Sequence, residues 1–265
     1  MSNVFTMGID VGSTASKCII LKDGKEIVAK SVISVGTGTS GPARAIKEAL
    51  EQVGLSSVDE LQGAVATGYG RNSLAEVPAQ MSELSCHAKG AYFLFPNVHS
   101  IIDIGGQDSK ALKIGDNGML ENFVMNDKCA AGTGRFLDVI AKVLEVTLED
   151  LEKLDENSTV DVAISSTCTV FAESEVISQL AKGTKIEDIV KGIHTAIASR
   201  VGSLAKRIGI KDDVVMTGGV ALNKGMVRAL EKNLGFKLHT NEYCQLNGAI
   251  GAALFAYQKY TMTHQ

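Results

Sequence analysis

An internal repeat places the strongest constraint on how this chain can fold. Residues 10–17 read Asp-Val-Gly-Ser-Thr-Ala-Ser-Lys and follow an apolar strand predicted at 4–9, and residues 103–110 read Asp-Ile-Gly-Gly-Gln-Asp-Ser-Lys at the end of a strand predicted at 98–104. In both segments an Asp leads into glycine, then polar donors, then a Lys at the same spacing. Two further strands follow each segment, so the sequence predicts the same three-strand meander twice.

The two repeated loops have the composition of phosphate-binding turns. Glycine lets the backbone approach a phosphate, Ser and Thr hydroxyls and a Lys ammonium supply donors, and an Asp can hold a hydrated Mg²⁺. One such loop alone also fits a tight hairpin with glycine at positive φ. The repetition favours phosphate binding, and so does a third glycine loop at 217–219, which follows a strand predicted at 213–216.

Helical patterns separate the predicted strands along the whole chain. Helices are predicted at 41–53, 81–92, from 136, from 170, at 186–208 and from 245, and further strands at 63–67, 162–166 and 236–239. Strands interleaved with helices predict an α/β fold with mixed sheets, and ligands in such folds lie beyond the carboxyl ends of strands. We expect a first lobe at 1–97 and a second at 98–265, with the final helix packing back on the first lobe and one nucleotide between the lobes.

Composition and charge exclude several other classes of protein. A net charge of −4 without a basic run argues against a nucleic-acid binder, and no apolar stretch approaches the roughly 20 residues that span a bilayer. The N-terminus lacks the charged and apolar regions of a signal peptide. Five cysteines, an odd number in 265 residues, do not indicate a disulfide framework. We therefore expect a cytoplasmic protein.

Two of the cysteines stand in similar contexts. Cys129 lies in Asn-Asp-Lys-Cys-Ala-Ala-Gly-Thr-Gly-Arg, just before a predicted helix, and Cys168 follows the strand predicted at 162–166 and precedes another helix. A helix N-terminus favours a thiolate because its free N–H groups and its dipole attract negative charge. Two such thiolates are half of a four-thiolate site. We hypothesise that a symmetric dimer supplies the other half.

The other cysteines and two histidines have a plainer interpretation. Cys18, Cys86 and Cys244 are interpreted as small core residues, since free cysteine is among the most buried residue types. His87 is interpreted as packing with a satisfied imidazole, and His194 as a residue at the edge of the core.

The motifs together resemble the actin/hexokinase ATPase superfamily, with its two-lobed fold and duplicated halves. Four segments, at 8–14, 103–108, 126–134 and 216–221, resemble a narrower family, the iron–sulfur ATPase activators of 2-hydroxyacyl-CoA dehydratases. The ATPase subunits of benzoyl-CoA reductase are relatives of that family. The resemblance extends from about residue 4 to residue 259, and the Cys129 segment is its most specific part.

The resemblance implies an ATP hydrolase coupled to electron transfer. It implies a homodimer with one [4Fe–4S] cluster at its interface, ligated by Cys129 and Cys168 of each subunit. Four cysteine thiolates are the ligand set of such a cluster. ATP hydrolysis would drive one electron from a reduced ferredoxin or flavodoxin to a 2-hydroxyacyl-CoA dehydratase.

The resemblance also implies a role for each glycine loop, with ATP or ADP and Mg²⁺ as ligands. One phosphate arm is assigned to Gly12, Ser13, Thr14, Ala15, Ser16 and Lys17, the other to Gly105, Gly106 and Gln107, and the nucleoside contacts to Gly218, Gly219 and Gln245. Asp10 and Asp103 would hold Mg²⁺ through water. Gln107 or Asp108 would orient the attacking water, because phosphoryl transfer depends on positioning more than on covalent chemistry.

Three alternatives remain open at this point. A metal-free sugar or metabolite kinase shares the ATP loops, although it does not account for the paired cysteines. A nucleotide-dependent sensor or scaffold would bind ATP without steady turnover. An activator of a benzoyl-CoA-type aromatic-ring reductase, or of an unrelated enzyme, differs only in the partner, which a fold does not determine.

Overall fold

The computed structural model describes residues 3–164, 168–210 and 213–264, which form two mixed sheets with helices. The strands are β1 (Phe5–Val11), β2 (Ser16–Lys22), β3 (Glu26–Ile33), β4 (Gly63–Thr67), β5 (Ala79–Gln80), β6 (Ser100–Ile104), β7 (Ser109–Ile114), β8 (Leu120–Asn126), β9 (Val214–Thr217) and β10 (Leu238–His239). The helices are α1 (Gly41–Gln52), α2 (Glu83–Leu94), α3 (Gly134–Val143), α4 (Asp150–Glu156), α5 (Thr169–Ala181), α6 (Ile186–Lys206), α7 (Lys224–Leu234) and α8 (Asn247–Thr263).

The two sheets have the same topology, which confirms the predicted repeat. The first sheet has the strand order β3-β2-β1-β4-β5. The second sheet, read in the equivalent direction, has the order β8-β7-β6-β9-β10. In the first, β1 pairs antiparallel with β2 and parallel with β4. In the second, β6 pairs antiparallel with β7 and parallel with β9. Each sheet therefore places the carboxyl end of a central strand, β1 or β6, beside the turn of a hairpin and the end of a parallel neighbour.

The chain divides into two compact units. The first comprises Met1–Asn97, Ile114–Leu120 and Gln245–Gln265, and the second comprises Val98–Lys113 and Glu121–Cys244. The first unit thus contains β1–β5 and α8, and the second contains the helices α3–α7.

The apolar side chains of the first unit form a core between the sheet and its helices. Alternate residues of β1, among them Met7 and Ile9, pack with the buried face of α1, where Ala45 and Ala49 recur at helical spacing. On α8, small residues allow close approach to β1: a side chain at Gly8 would overlap the backbone of Ala249. Glycine at position 8 is therefore a packing requirement.

Local chemistry also explains where the second unit's α7 begins and ends. The side chain of Asn223 accepts a hydrogen bond from the N–H of Met226, which caps the first turn. Gly235 ends the helix in the left-handed conformation, with φ of 85°. A short 3-10 helix, Gly219–Leu222, lies between the glycine loop and this helix.

One predicted strand is wrong in the part that the structure describes. Residues 162–164 of the strand predicted at 162–166 have no regular secondary structure, and 165–166 lie outside the described residues. The polar stretch before it instead contains α4, and Asp188 accepts hydrogen bonds from the N–H groups of Thr159 and Val160. Those backbone groups are satisfied by a carboxylate on α6 instead of by a neighbouring strand.

Candidate functional site

The hairpin between β1 and β2 brings a carboxylate and an ammonium group together. Asp10 and Lys17 are opposite each other in the strand register, and Lys17 Nζ lies 3.1 Å from Asp10 Oδ2. Inside the turn, the N–H of Gly12 donates to the carbonyl of Ala15 at 3.0 Å. Ser13 and Thr14, the predicted phosphate ligands at the tip, are half-buried. The turn therefore resembles a short phosphate-binding loop, with the ion pair of Asp10 and Lys17 where the two strands enter it.

Two residues assigned to this arm already have other contacts. Ser16 is buried, and its hydroxyl donates to the carbonyl of Val35 at 2.9 Å. The carbonyl of Ala15 accepts the Gly12 N–H. These two residues shape the turn, so the groups that face outward belong to Ser13 and Thr14.

The hairpin between β6 and β7 repeats this arrangement in the second unit. Asp103 and Lys110 occupy the matching register, with Lys110 Nζ 3.3 Å from Asp103 Oδ2. The N–H of Gly105 donates to the carbonyl of Asp108 at 2.9 Å, at the same position in the turn as the Gly12 bond. Lys110 also pairs with Asp108 Oδ2 at 2.6 Å. Gln107, a candidate for orienting water, is exposed at the tip.

The third glycine loop lies against the second hairpin. The hydroxyl of Thr217 donates to Asp103 Oδ1 at 2.7 Å, and the N–H of Gly218 donates to the carbonyl of Cys244 at 3.1 Å. Gly218 has φ of 88°, and a side chain there would overlap the carbonyl of Ile104. Only glycine combines this conformation with so close an approach. Asp103 and the predicted nucleoside loop are therefore one continuous surface of the second unit.

Sequence reasoning missed a group of polar residues around Asp10. A side chain at Gly248 would lie 3.1 Å from Asp10 Oδ2 and 3.3 Å from His87 Nε2, so both groups face the start of α8. Asn247 Nδ2 lies 3.2 Å from His87 Nδ1. On the other side of the ring, His87 Nε2 lies 3.8 Å from Glu83 Oε1.

The helical pattern alone could not reveal this group. It identifies His87 as buried, which the structure confirms, and its imidazole is satisfied as predicted. Its proximity to Asp10 depends on how α2 and α8 pack. The signal that was available is an acid and an imidazole four residues apart at the start of α2, a spacing that places them on one helix face.

Cys129 lies in a turn between β8 and α3 that is held by side-chain hydrogen bonds. Asn126 Nδ2 donates to the carbonyls of Cys129 and Ala131, at 2.7 and 3.3 Å, and the hydroxyl of Thr133 donates to the carbonyl of Ala130 at 2.7 Å. Gly132 has φ of 89°. The prediction that Cys129 precedes a helix is confirmed, and the thiol is half-buried.

The start of α3 is bonded to the second hairpin. The N–H of Gly134 donates to the carbonyl of Gly105 at 2.8 Å, and the N–H of Arg135 donates to the carbonyl of Gly106 at 2.7 Å. Two of the first free N–H groups of the helix are thus used on the loop assigned to phosphate. The turn that carries Cys129 and the phosphate-type turn are consequently coupled through the backbone.

Cys168 is the N-cap residue of α5, as its predicted place before a helix requires. It is half-buried. The helix that follows it leaves apolar side chains in solvent: Val170, Phe171 and Ile177 are 66%, 69% and 52% exposed. Next to the cysteine, the hydroxyl of Thr169 is buried and has no hydrogen-bond partner among the described residues.

The three remaining cysteines are core residues, as predicted. Cys18, Cys86 and Cys244 are fully buried. Burial raises the pKa of the Cys86 thiol to about 12, and it also raises the pKa of Cys18 and of Cys244. These thiols remain protonated at neutral pH and are unsuited to metal binding.

The duplicated hairpins and the glycine loop at 217–219 define an ATPase of the actin/hexokinase type. A likeness of fold alone is seen with a ROK family glucokinase from Streptomyces griseus, solved with glucose and AMPPNP, at a TM-score of 0.59 and 15% identity, covering 96% of this chain and 99% of the other. The model of the BadF/BadG/BcrA/BcrD ATPase family matches residues 7–256, and the chain belongs to that family.

Similarity to individual members extends over nearly the whole chain. The (R)-2-hydroxyglutaryl-CoA dehydratase activating ATPase of Acidaminococcus fermentans is 64% identical over 258 residues, 97% of this chain and 98% of the relative. The structure of the activator of the 2-hydroxyisocaproyl-CoA dehydratase from Clostridium difficile, solved with bound ADPNP, has a TM-score of 0.95 at 54% identity, covering 98% of this chain and 97% of the other.

The rest of the molecule shows no sign of a membrane segment within the described residues, where every helix is too short or too polar to cross a bilayer. Across residues 3–164, 168–210 and 213–264, likewise, no three His, Cys, Asp or Glu side chains are grouped as a metal site.

Proposed function

We propose that this protein activates a 2-hydroxyacyl-CoA dehydratase by ATP-driven transfer of single electrons. The names of the similar proteins support the activator role. The observation that carries the coupling is the pair of hydrogen bonds from the start of α3 to the carbonyls of Gly105 and Gly106. They join the turn assigned to the phosphate to the turn that carries Cys129. A change in one turn is transmitted to the other without an intervening flexible segment.

Nucleotide binding is assigned to the three glycine loops. Ser13, Thr14 and Lys17 of the first hairpin, with Gly12 and its neighbours, and Gly105, Gly106 and Gln107 of the second would hold the phosphates. Gly218, Gly219 and Gln245 would contact the nucleoside. The carboxylates of Asp10 and Asp103 are oxygen ligands of the type that Mg²⁺ prefers, and they would hold it through water. Mg²⁺ would neutralise charge on the phosphates.

Hydrolysis consumes one water and converts ATP to ADP and phosphate. Gln107 and Asp108 are the candidates for orienting that water, since they lie on the turn next to the carbonyls that receive α3. Asp108 already accepts from Lys110. The exposed amide of Gln107 is therefore the freer of the two to turn toward a water molecule.

The donor set fits an iron–sulfur cluster shared by two copies of the chain. Cys129 and Cys168 are half-buried, in contrast to the three core thiols. Two thiolates from each of two chains make the four that a [4Fe–4S] cluster takes, and the cluster would supply one-electron redox chemistry. The exposed apolar side chains that follow Cys168 support a contact between copies on that face. The homodimer thereby completes the site.

The electron would come from a reduced ferredoxin or flavodoxin and pass to the dehydratase. The role of this chain is to hold the thiolates and to change their surroundings when the nucleotide changes. The segment from Asn126 to Thr133 would move with the phosphate turn as one piece, because its carbonyls accept hydrogen bonds from side chains of the same segment.

Activation of a dehydratase in the presence of ATP and a reductant tests the proposal. Cys129→Ala and Cys168→Ala should each abolish activation while nucleotide binding, measured by calorimetry, stays close to wild type. Ser178→Ala, an exchange on the same helix as Cys168, serves as the control and should activate normally. Activation that persists in Cys129→Ala would contradict the proposal.

A further inference from the structure

A cavity of about 480 Å³ lies in the second unit, between the end of β8 and the second half of α6. Met125 and Asn126 form its wall on the strand, and Arg200 and Arg207 lie on the helix side. Its size is within the range of small-molecule sites in proteins, about 300–1,000 Å³. None of the roles assigned above uses this cavity.

The lining of the cavity is strongly basic on a chain that is acidic overall. Lys128, Arg200 and Arg207 contribute three cations, against the single carboxylate of Asp127, while the whole chain has a net charge of −4. Lys128 and Arg207 are exposed, and among the described residues neither forms an ion pair or a side-chain hydrogen bond. Arg200 is half-buried. Cations concentrated in a concave site attract an anion.

The spacing of the two arginines indicates an anion with more than one charged group. Arg200 lies on α6 and Arg207 is the C-cap residue of that helix, two helical turns further on, which separates their Cα atoms by about 10 Å along the helix axis. Lys128 approaches from the opposite wall. Guanidinium groups bind phosphate through paired N–H donors, so a ligand with two phosphate groups engages both arginines at once.

The cavity also touches the turn that carries Cys129. Asn126, which lines it, donates through its side chain to the carbonyls of Cys129 and Ala131. The stem of Arg200 packs against the same turn, since a side chain at Gly132 would lie 3.1 Å from Arg200 Cδ. The cavity also reaches the second hairpin at Ser109, so an anion that holds Arg200 would restrict the Cys129 turn beside that hairpin.

The cavity is separate from the predicted nucleoside loop within the same unit. In the sheet order, β9, which ends in that loop, lies on one side of β6, while β7 and β8 lie on the other. The cavity is built on the β8 side. We infer that it binds a small phosphorylated anion carrying two phosphate groups, and that this ligand stiffens the Cys129 turn independently of ATP.

Calorimetric titration of the full-length protein with inorganic pyrophosphate tests the site. ADP is kept at saturation throughout, so that the nucleotide loops are filled. We expect saturable binding that weakens roughly ten- to a hundredfold in Arg207→Ala, the loss expected for one charge-assisted contact. Lys206→Ala is the matched control, because Lys206 is the exposed cation next to Arg207 on α6 and does not line the cavity.

Hydrogen exchange of the same samples tests the link to Cys129. Pyrophosphate should slow exchange of the amides in 129–133 in wild type and in Lys206→Ala, but not in Arg207→Ala, and should leave 41–52 unchanged. Absence of saturable binding, or binding that Arg207→Ala and Lys128→Ala leave intact, overturns the site. A loss of dehydratase binding in Arg207→Ala without any pyrophosphate binding would also overturn it and identify a protein-docking surface instead. Neither readout needs the cluster or activation, so the test stands apart from the proposed function.

Discussion

The two hairpins have the same arrangement of residues but different surroundings. In each hairpin an Asp and a Lys lie opposite each other on the paired strands, and a glycine N–H donates to a carbonyl across the turn. In the first, Lys17 is 17% exposed and pairs with Asp10. In the second, Lys110 is 2% exposed and pairs with both Asp103 and Asp108. The second hairpin is the more deeply embedded of the two.

The hairpins also differ in the segments that they hold. The carbonyl of Gly12 in the first accepts from the N–H of Thr37, in the connection between β3 and α1. The carbonyls of Gly105 and Gly106 in the second accept from the start of α3, next to the Cys129 turn. The first hairpin is thus bonded to a connection within its own unit, and the second to the helix that follows the Cys129 turn. The second hairpin is where nucleotide chemistry would reach the cysteines.

Replacement of the lysine should give the largest difference in stability between the two hairpins. Lys110→Met leaves the buried carboxylate of Asp103 and the half-buried carboxylate of Asp108 without their cation, so we expect a loss of about 3–5 kcal/mol in the free energy of unfolding. Lys17→Met should lose only about 1–2 kcal/mol, because Lys17 is itself more exposed than Lys110 and its ion pair is with a single carboxylate, that of Asp10. Urea denaturation of both variants measures the difference. Equal losses would mean that the two hairpins are equivalent in stability.

The two aspartates should differ in their effect on ATP turnover. Thr217 and Lys110 engage both oxygens of Asp103, whereas Thr67, at the corresponding register position beside Asp10, donates to the carbonyl of Met81. We therefore expect Asp10→Asn to lower kcat about a hundredfold with little change in melting temperature. Asp103→Asn should lower the melting temperature as well. A melting temperature unchanged in Asp103→Asn would contradict this distinction.

Replacement of the threonine beside each aspartate should show a smaller difference in stability between the two units. Thr217→Val removes a hydroxyl that donates to a buried carboxylate, and hydrogen bonds to charged groups contribute about 1.5–3 kcal/mol. Thr67→Val removes a bond to a neutral carbonyl, which contributes about 1 kcal/mol. Thermal unfolding of both variants, with nucleotide absent, gives the two values. The account fails if Thr67→Val is the more damaging exchange.

Each unit also contains a buried histidine, and the two histidines have different partners. His87 contacts the amide of Asn247, whereas His194 lies 3.1 Å from the carboxylate of Asp155, which Arg228 also binds. Burial by itself would raise the pKa of Asp155, but the hydrogen bonds and charges of His194 and Arg228 hold this pKa below its usual value.

A lowered pKa in the folded state gives a stabilisation that is present above the pKa of the unfolded chain, about 3.9. We expect Asp155→Asn to cost about 1 kcal/mol at pH 7. The difference from wild type should shrink as the pH falls below about 4 and through the folded pKa. Urea denaturation at pH 7, 5 and 3 checks this, and a difference that is constant over the range would refute it.

Much of the fold follows from the sequence because its signals are local. The repeat of Asp, glycine and Lys, the turn glycines and the helical periodicity of 186–208 depend on near neighbours, and the structure confirms both meanders and the long helix. The strand predicted at 162–166 was wrong at 162–164, since apolar residues there are as consistent with a buried loop. Just before this segment, the N–H groups of Thr159 and Val160 are satisfied by Asp188, a contact that no local pattern records.

The site was less predictable because it depends on packing. The positions of Asp10, Asp103, Cys129 and Cys168 follow from motifs, but the bonds from α3 to Gly105 and Gly106 do not. The same is true of His87, whose approach to Asp10 arises only when α2 and α8 meet. The basic cavity combines residues from β8, its following turn and α6, which are distant in sequence. The roles of the assigned nucleotide and cluster residues stay predictions until they are measured.

The central claim is that two copies of this chain share one cluster through Cys129 and Cys168. The most direct measurement is iron and acid-labile sulfide per chain in protein purified without oxygen, with the molar mass determined by light scattering on the same sample. We predict about two irons and two sulfides per chain in a dimer, as four thiolates from two chains require. An iron-free protein, or a monomer holding about four irons, would contradict the claim.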